Sequence, residues 1–148
     1  MSFISIAITG TVSAADLVVQ EAGPVGTYAT ITSAVAASVD GDRIIINNKP
    51  GGLPWNEDIL INKSLTFLSA VDNDQFFVQG EYTVQHAPGR EISIIGMENA
   101  NGSITSIAPG ATSRTILNIM WCTFTSGGVD VDHAFFELNL ASCTFFWG

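Results

Sequence analysis

The sequence predicts an all-β chain, a right-handed parallel β-helix with one short N-terminal capping α-helix. Three observations carry this. A close internal repeat ends the chain: Leu117, Asn118, Cys122, Thr123 and Phe124 recur at one common offset as Leu138, Asn139, Cys143, Thr144 and Phe145. Further β-rich runs precede the repeat at similar spacings, opening at Ile92, Leu65 and Ile44. Turn-forming residues separate all of these runs. Short strands at a near-constant coil length are the signature of a solenoid, because each coil lies on the one before and like side chains stack into ladders.

Taken in order, residues 1–15 (MSFISIAITGTVSAA) form an apolar stretch closing on the small residues Val12-Ser13-Ala14. This reads as a secretory signal peptide, too short to span a bilayer and lacking a basic start. It places the mature chain's first residue near Ala15 or Asp16, with the β-helix over residues 16–148. A helix is expected over residues 30–39, with Thr30 as N-cap, Ile31, Ala34, Val35 and Val39 on one face, and Gly41 suited to a left-handed stop. Lying across the first coil, it would cover the solenoid's open end.

The main strands are Ile44–Asn47, Leu65–Ser69, Ile92–Met97, Leu117–Phe124 and Leu138–Phe145, with their first residues taking equivalent places on successive coils. Weaker strands are expected around Leu60, Phe77, Thr83, Thr105 and Asp130. Pro50-Gly51-Gly52, Asp72-Asn73-Asp74, Pro88-Gly89, Asn101-Gly102, Pro109-Gly110 and Gly127-Gly128 mark the turns. Leu117, Ile119, Leu138 and Leu140 should point inward. The Asn118/Asn139 pair should form a ladder at a turn.

Composition narrows the function classes. Hydrophobic residues make up 47% and charged residues 13%, so a packed core is expected. The net charge of −9 repels phosphate backbones and argues against nucleic acid as a partner. Two cysteines are too few for a disulfide framework and read as small buried hydrophobes.

The opening segment, with Thr27-Tyr28-Ala29-Thr30-Ile31, Ala34-Val35-Ala36-Ala37 and Asp40-Gly41-Asp42-Arg43 before an apolar strand, resembles that of pectate-lyase-like right-handed β-helix proteins. Asn62-Lys63-Ser64-Leu65-Thr66-Phe67-Leu68 is similar to their second-coil pattern. In style the chain is close to exported surface β-helix proteins of Bacteroidetes, which carry such coils ahead of a C-terminal sorting domain. The resemblance implies a secreted or cell-surface location and contact with extracellular glycans. No such sorting domain follows here, and Phe145-Phe146-Trp147-Gly148 is an apolar, strand-like run without a cap, so further coils are expected beyond it, and without them an open last rung should self-associate.

The same family contains lyases that use Ca²⁺ and a basic residue, and hydrolases that use paired carboxylates. Neither set can be carried over residue by residue. Candidates are Asp130 and Asp132, two apart on a strand, as a carboxylate pair or Ca²⁺ ligands with His133 adjacent. Trp55, followed by Glu57 and Asp58, is a candidate sugar platform. Asp72, Asp74, His86, Arg90 and Arg114 are weaker candidates, more readily read as turn or pairing residues. A non-catalytic surface scaffold (a stalk, adhesin or glycan-contacting module) is therefore the leading expectation. A polysaccharide lyase or glycoside hydrolase, with its residues in further coils or at Asp130/Asp132, is the alternative.

Overall fold

The structure is a computed structural model that describes residues 13–107, 113–132 and 134–146. Most of the expected signal segment, His133 and Trp147 lie outside these residues. β1 (Asp16–Val19) leads into α1 (Ile31–Ala37). Three coils follow, each of three strands: β2 (Arg43–Ile46), β3 (Trp55–Asn56), β4 (Ile59–Ile61); β5 (Thr66–Ser69), β6 (Phe76–Gln79), β7 (Tyr82–Gln85); β8 (Glu91–Ile95), β9 (Met97–Asn99), β10 (Ile104–Ile107). A fourth comprises β11 (Thr115–Met120), β12 (Thr123–Phe124) and β13 (Val129–Asp130), and a fifth comprises β14 (Phe136–Ala141) and β15 (Thr144–Phe145).

Equivalent strands stack in parallel to give three sheets: β1-β2-β5-β8-β11-β14, β3-β6-β9-β12-β15 and β4-β7-β10-β13. The chain is thus a parallel β-solenoid, as its repeat predicts. The repeat itself is in register, with Leu117 opposite Leu138, Asn118 opposite Asn139 and Phe124 opposite Phe145. The two phenylalanine rings stack 5.1 Å apart, 4° from parallel.

Alternation along the first sheet sets the core. The inward row Leu17, Ile44, Phe67, Ile94 and Ile119 runs through five rungs, every member buried. Burying each such side chain is worth roughly 1.5–3 kcal/mol. On the sixth rung, the last among the described residues, the row ends at Leu140, which is 47% exposed. Outside, a polar row of Asp16, Arg43, Thr66, Ser93, Asn118 and Asn139 runs beside a half-buried apolar row of Val18, Ile45, Leu68, Ile95 and Met120.

Four expectations need correction. The Asn118/Asn139 ladder (Nδ2 to Oδ1, 3.0 Å) lies mid-strand on the outer face, since Leu117 and Ile119 take the inward positions on either side. Ile44 pairs with Phe67, not Leu65, a slip of two residues that keeps every side chain on its expected face. The long runs 92–97, 117–124 and 138–145 each bend between the first and second sheets, at left-handed residues Gly96, Trp121 and Ser142 (φ 70°, 52° and 53°). The helix ends at Ala37, before Gly41, because Ser38 turns to extended backbone (φ −69°, ψ 164°) and the Val39 amide donates to Asp42 Oδ2 instead of continuing the helix. Val39 is accordingly 49% exposed.

Both ends of α1 are held from coil one. Thr30 and Ser33 form a capping box at its start. Glu57 accepts hydrogen bonds from the Ile31 and Thr32 amides (3.0 and 2.9 Å) and from the Thr32 hydroxyl. At the other end the Lys63 ammonium donates to the carbonyls of Val35 (2.7 Å), Ala36 (3.1 Å) and Ser38 (2.7 Å). An acid at the N-terminus and a base at the C-terminus both match the helix dipole. No helix among the described residues is long and apolar enough to cross a membrane.

Candidate functional site

The candidate carboxylates are largely engaged in holding one coil to the next. Asp132 caps the turn into β14: its Oδ1 accepts the Ala134 amide (2.9 Å) and its carbonyl accepts those of Phe135 and Phe136. Asp58 accepts the Glu81 amide (2.9 Å). Asp74 accepts the Gln75 amide (2.9 Å) and the Asn48 side chain (3.0 Å). Glu57 caps α1, as described. Asp130 is exposed on β13, directly opposite Thr105. The strand ends at Asp130, and Asp132 lies beyond it in the turn into β14, so the two carboxylates do not form the expected pair on one strand. No group of three or more His, Cys, Asp or Glu among the described residues could hold a metal ion.

Trp55 is 2% exposed, with its indole N–H donating to the Asn47 carbonyl (2.9 Å) and the Lys49 ammonium 4.7 Å from its ring centroid. It offers no open face for a sugar. Its inward position on β3 and its hydrogen-bonded nitrogen make it a core residue. His86 is buried against the rings of Phe135 and Phe136, with Nδ1 2.9 Å from the Thr115 hydroxyl. That hydroxyl also lies 2.9 Å from the Ala87 carbonyl, so the His86 ring and the Thr115 side chain hold the start of β11 against the preceding coil. The Arg90 guanidinium donates to the Gln85 carbonyl, and Arg114 is exposed.

Of the two tryptophans among the described residues, the one that reaches solvent is Trp121, 39% exposed, at the corner between β11 and β12. Its left-handed backbone is uncommon for a bulky residue. The corresponding corner one coil earlier is Gly96, the residue type this geometry favours. The Trp121 ring lies over Gly96, where an added Cβ would sit 3.2 Å from its Cε3. Its carbonyl accepts the Gln75 side-chain amide (2.6 Å), tying the corner to the loop after β5.

Trp121 walls an open cleft of about 130 Å³, floored by Leu68, Ser69 and Ile95 and rimmed by Val71, Asp72, Asn73 and Asp74. An aromatic wall, an apolar floor and a rim of hydrogen-bonding side chains can hold a small amphipathic ring. Sequence reasoning selected Asp72 and Asp74 but not Trp121, whose partners Gly96 and Gln75 belong to earlier coils.

No protein-family model matches the sequence, and neither a curated protein nor a solved structure is significantly similar to it. The fold alone therefore defines the class: a parallel β-solenoid of about five turns.

Proposed function

We propose that this protein is a non-catalytic exported scaffold, displayed on or released from the cell surface, that contacts neutral glycans through the Trp121 cleft. The observation that carries the reading is an exposed indole held at a corner whose backbone favours glycine, beside a rim of Asp72, Asn73 and Asp74. Pyranose rings carry apolar C–H faces that stack on an indole, and their hydroxyls donate to carboxylate and amide oxygens. The net charge of −9 disfavours acidic polysaccharides. The use of Glu57, Asp58, Asp74 and Asp132 as structural acceptors supports a scaffold over an enzyme. Kinship with pectate-lyase-like proteins is part of the proposal; it is supported by the order of capping helix, Gly41-Asp42 and buried strand.

The test is calorimetric and fluorescence titration with cellohexaose, xylohexaose and mannohexaose, with trigalacturonate as the acidic control. At least one neutral hexaose should bind, and Trp121→Gly should weaken that binding at least tenfold while the chain still unfolds cooperatively, since relief of backbone strain offsets part of the lost packing on Gly96. Glycine relieves left-handed strain of order 1 kcal/mol. The proposal fails if none of the three neutral probes binds saturably, or if Trp121→Gly binds as the parent does.

A further inference from the structure

We infer that the mature chain begins at Ala15 and that its new α-ammonium group is locked by the buried carboxylate of Asp42. The inference rests on the export reading and sharpens it to a single bond. Asp42 is 3% exposed. Its Oδ1 accepts the Ala15 amide at 2.8 Å and its Oδ2 accepts the Val39 amide at 2.8 Å. Both donors are neutral. Among the described residues the ion pairs are Arg43–Asp16 and Lys49–Glu21, while the nearby Lys63 is spent on the carbonyls of α1. A buried carboxylate is costly unless it is paired with a cation, and none of these side chains supplies one to Asp42.

A chain terminus at Ala15 supplies that cation. Hydrolysis of the Ala14–Ala15 peptide adds water across the C–N bond. The carboxylate stays on Ala14, and the Ala15 nitrogen takes up protons to become an ammonium at neutral pH. One of its N–H groups already points at Asp42 Oδ1, so the existing hydrogen bond becomes charge-assisted. Ser13, Ala14 and Ala15 are exposed, leaving room for a free end. The sequence Val12-Ser13-Ala14 supplies small residues immediately before the bond.

The same geometry separates the two starts that the sequence leaves open. The Ala15 carbonyl accepts the Arg43 amide at 2.9 Å, so Ala15 contributes two bonds to the first rung. A chain starting at Asp16 would lose both. A chain retaining Ala14 would keep them but leave Asp42 without its cation.

Two measurements test this separately. In the first, the full chain is expressed in an exporting bacterial host, and the secreted product is read by intact mass and N-terminal sequencing. Ala15 is the expected first residue; Asp16, or retained upstream residues, overturns the export half. In the second, the chain 15–148 is released from a fusion with a free amine and compared with its N-acetylated form, which keeps the N–H but loses the charge. The free amine should melt about 2 °C or more above the acetylated chain. The difference should vanish in Asp42→Asn. Equal melting of the free and acetylated forms in the unaltered sequence overturns the lock, whether or not the variant folds.

Discussion

Cys122 and Cys143 show how one residue type acquires two behaviours from its rung. Both are free thiols, and their neighbours Thr123 and Thr144 pair across adjacent coils. Their sulfurs approach equivalent carbonyls one coil back, Ile94 at 3.6 Å and Ile119 at 3.4 Å. Cys122 is fully buried, and burial pushes its thiol up to about 12. Cys143 sits on the last rung and is partly exposed. Alkylation by iodoacetamide at pH 8, followed by mass spectrometry, should therefore label Cys143 first and leave Cys122 protected until the chain unfolds. The thiolate is the reactive form, and Cys122 stays protonated. The sign of the alkaline response follows. An unfolded Cys122 ionises near 9.0 while the folded one does not, so this contribution to stability is complete below about pH 9 and is lost between 9 and about 12. Equal labelling of the two thiols in the native protein would contradict the burial of Cys122.

Among the elements, α1 is the most dependent on the rest of the molecule. At seven residues it is too short to persist alone. Its buried Ile31, Ala34 and Val35 dock it, and Glu57 and Lys63 hold its two ends. Glu57→Gln should cost roughly 1–2 kcal/mol, and Lys63→Met, which leaves three carbonyls without their donor, roughly 1–3 kcal/mol. Urea unfolding reads both; neutrality at either position would mean the helix is held by packing alone. This clamp also shows where the sequence stops being informative. β1, with no repeat partner in sequence, was missed, whereas hydrophobic alternation and the internal repeat made the first-sheet strands from β2 onward legible, since period-two burial is a local property. Thr30 was legible as a cap for the same reason. Glu57 was not, because its partner amides lie on a helix far upstream, and a carboxylate in a polar loop looks the same whether it caps a helix or faces solvent. The burial of Trp55 and the exposure of Trp121 were equally illegible, because exposure depends on which coil lies alongside. The bends at Trp121 and Ser142 were hidden because a left-handed residue other than glycine leaves no mark in composition.

At the scale of the whole molecule, the two ends of the stack differ. α1 covers one. At the other, β14 and β15 are edge strands, and Leu138, Leu140 and Phe146 are 36%, 47% and 56% exposed. Open edges beside an apolar cross-section favour association between copies. Light scattering of this chain should show a mass above the monomer that rises with concentration, and Phe146→Lys should shift it back towards one chain. A monomer at the highest soluble concentration would contradict this reading. Between the ends, the solenoid tolerates unequal turns. Arg43 stacks on Thr66, Thr66 on Ser93 and Thr115 on Phe136, three turns of three different chain lengths, yet the inward row never loses its phase. The surplus is taken up in peripheral segments such as residues 70–75, between β5 and β6. Each turn is thus anchored afresh on its predecessor, and a change in chain length at the periphery is absorbed before the next rung is laid. In this architecture an insertion is a local event that leaves the reading frame of the core intact, so the outer loops, including the rim of the Trp121 cleft, can change in length while the strands beneath them stay in place.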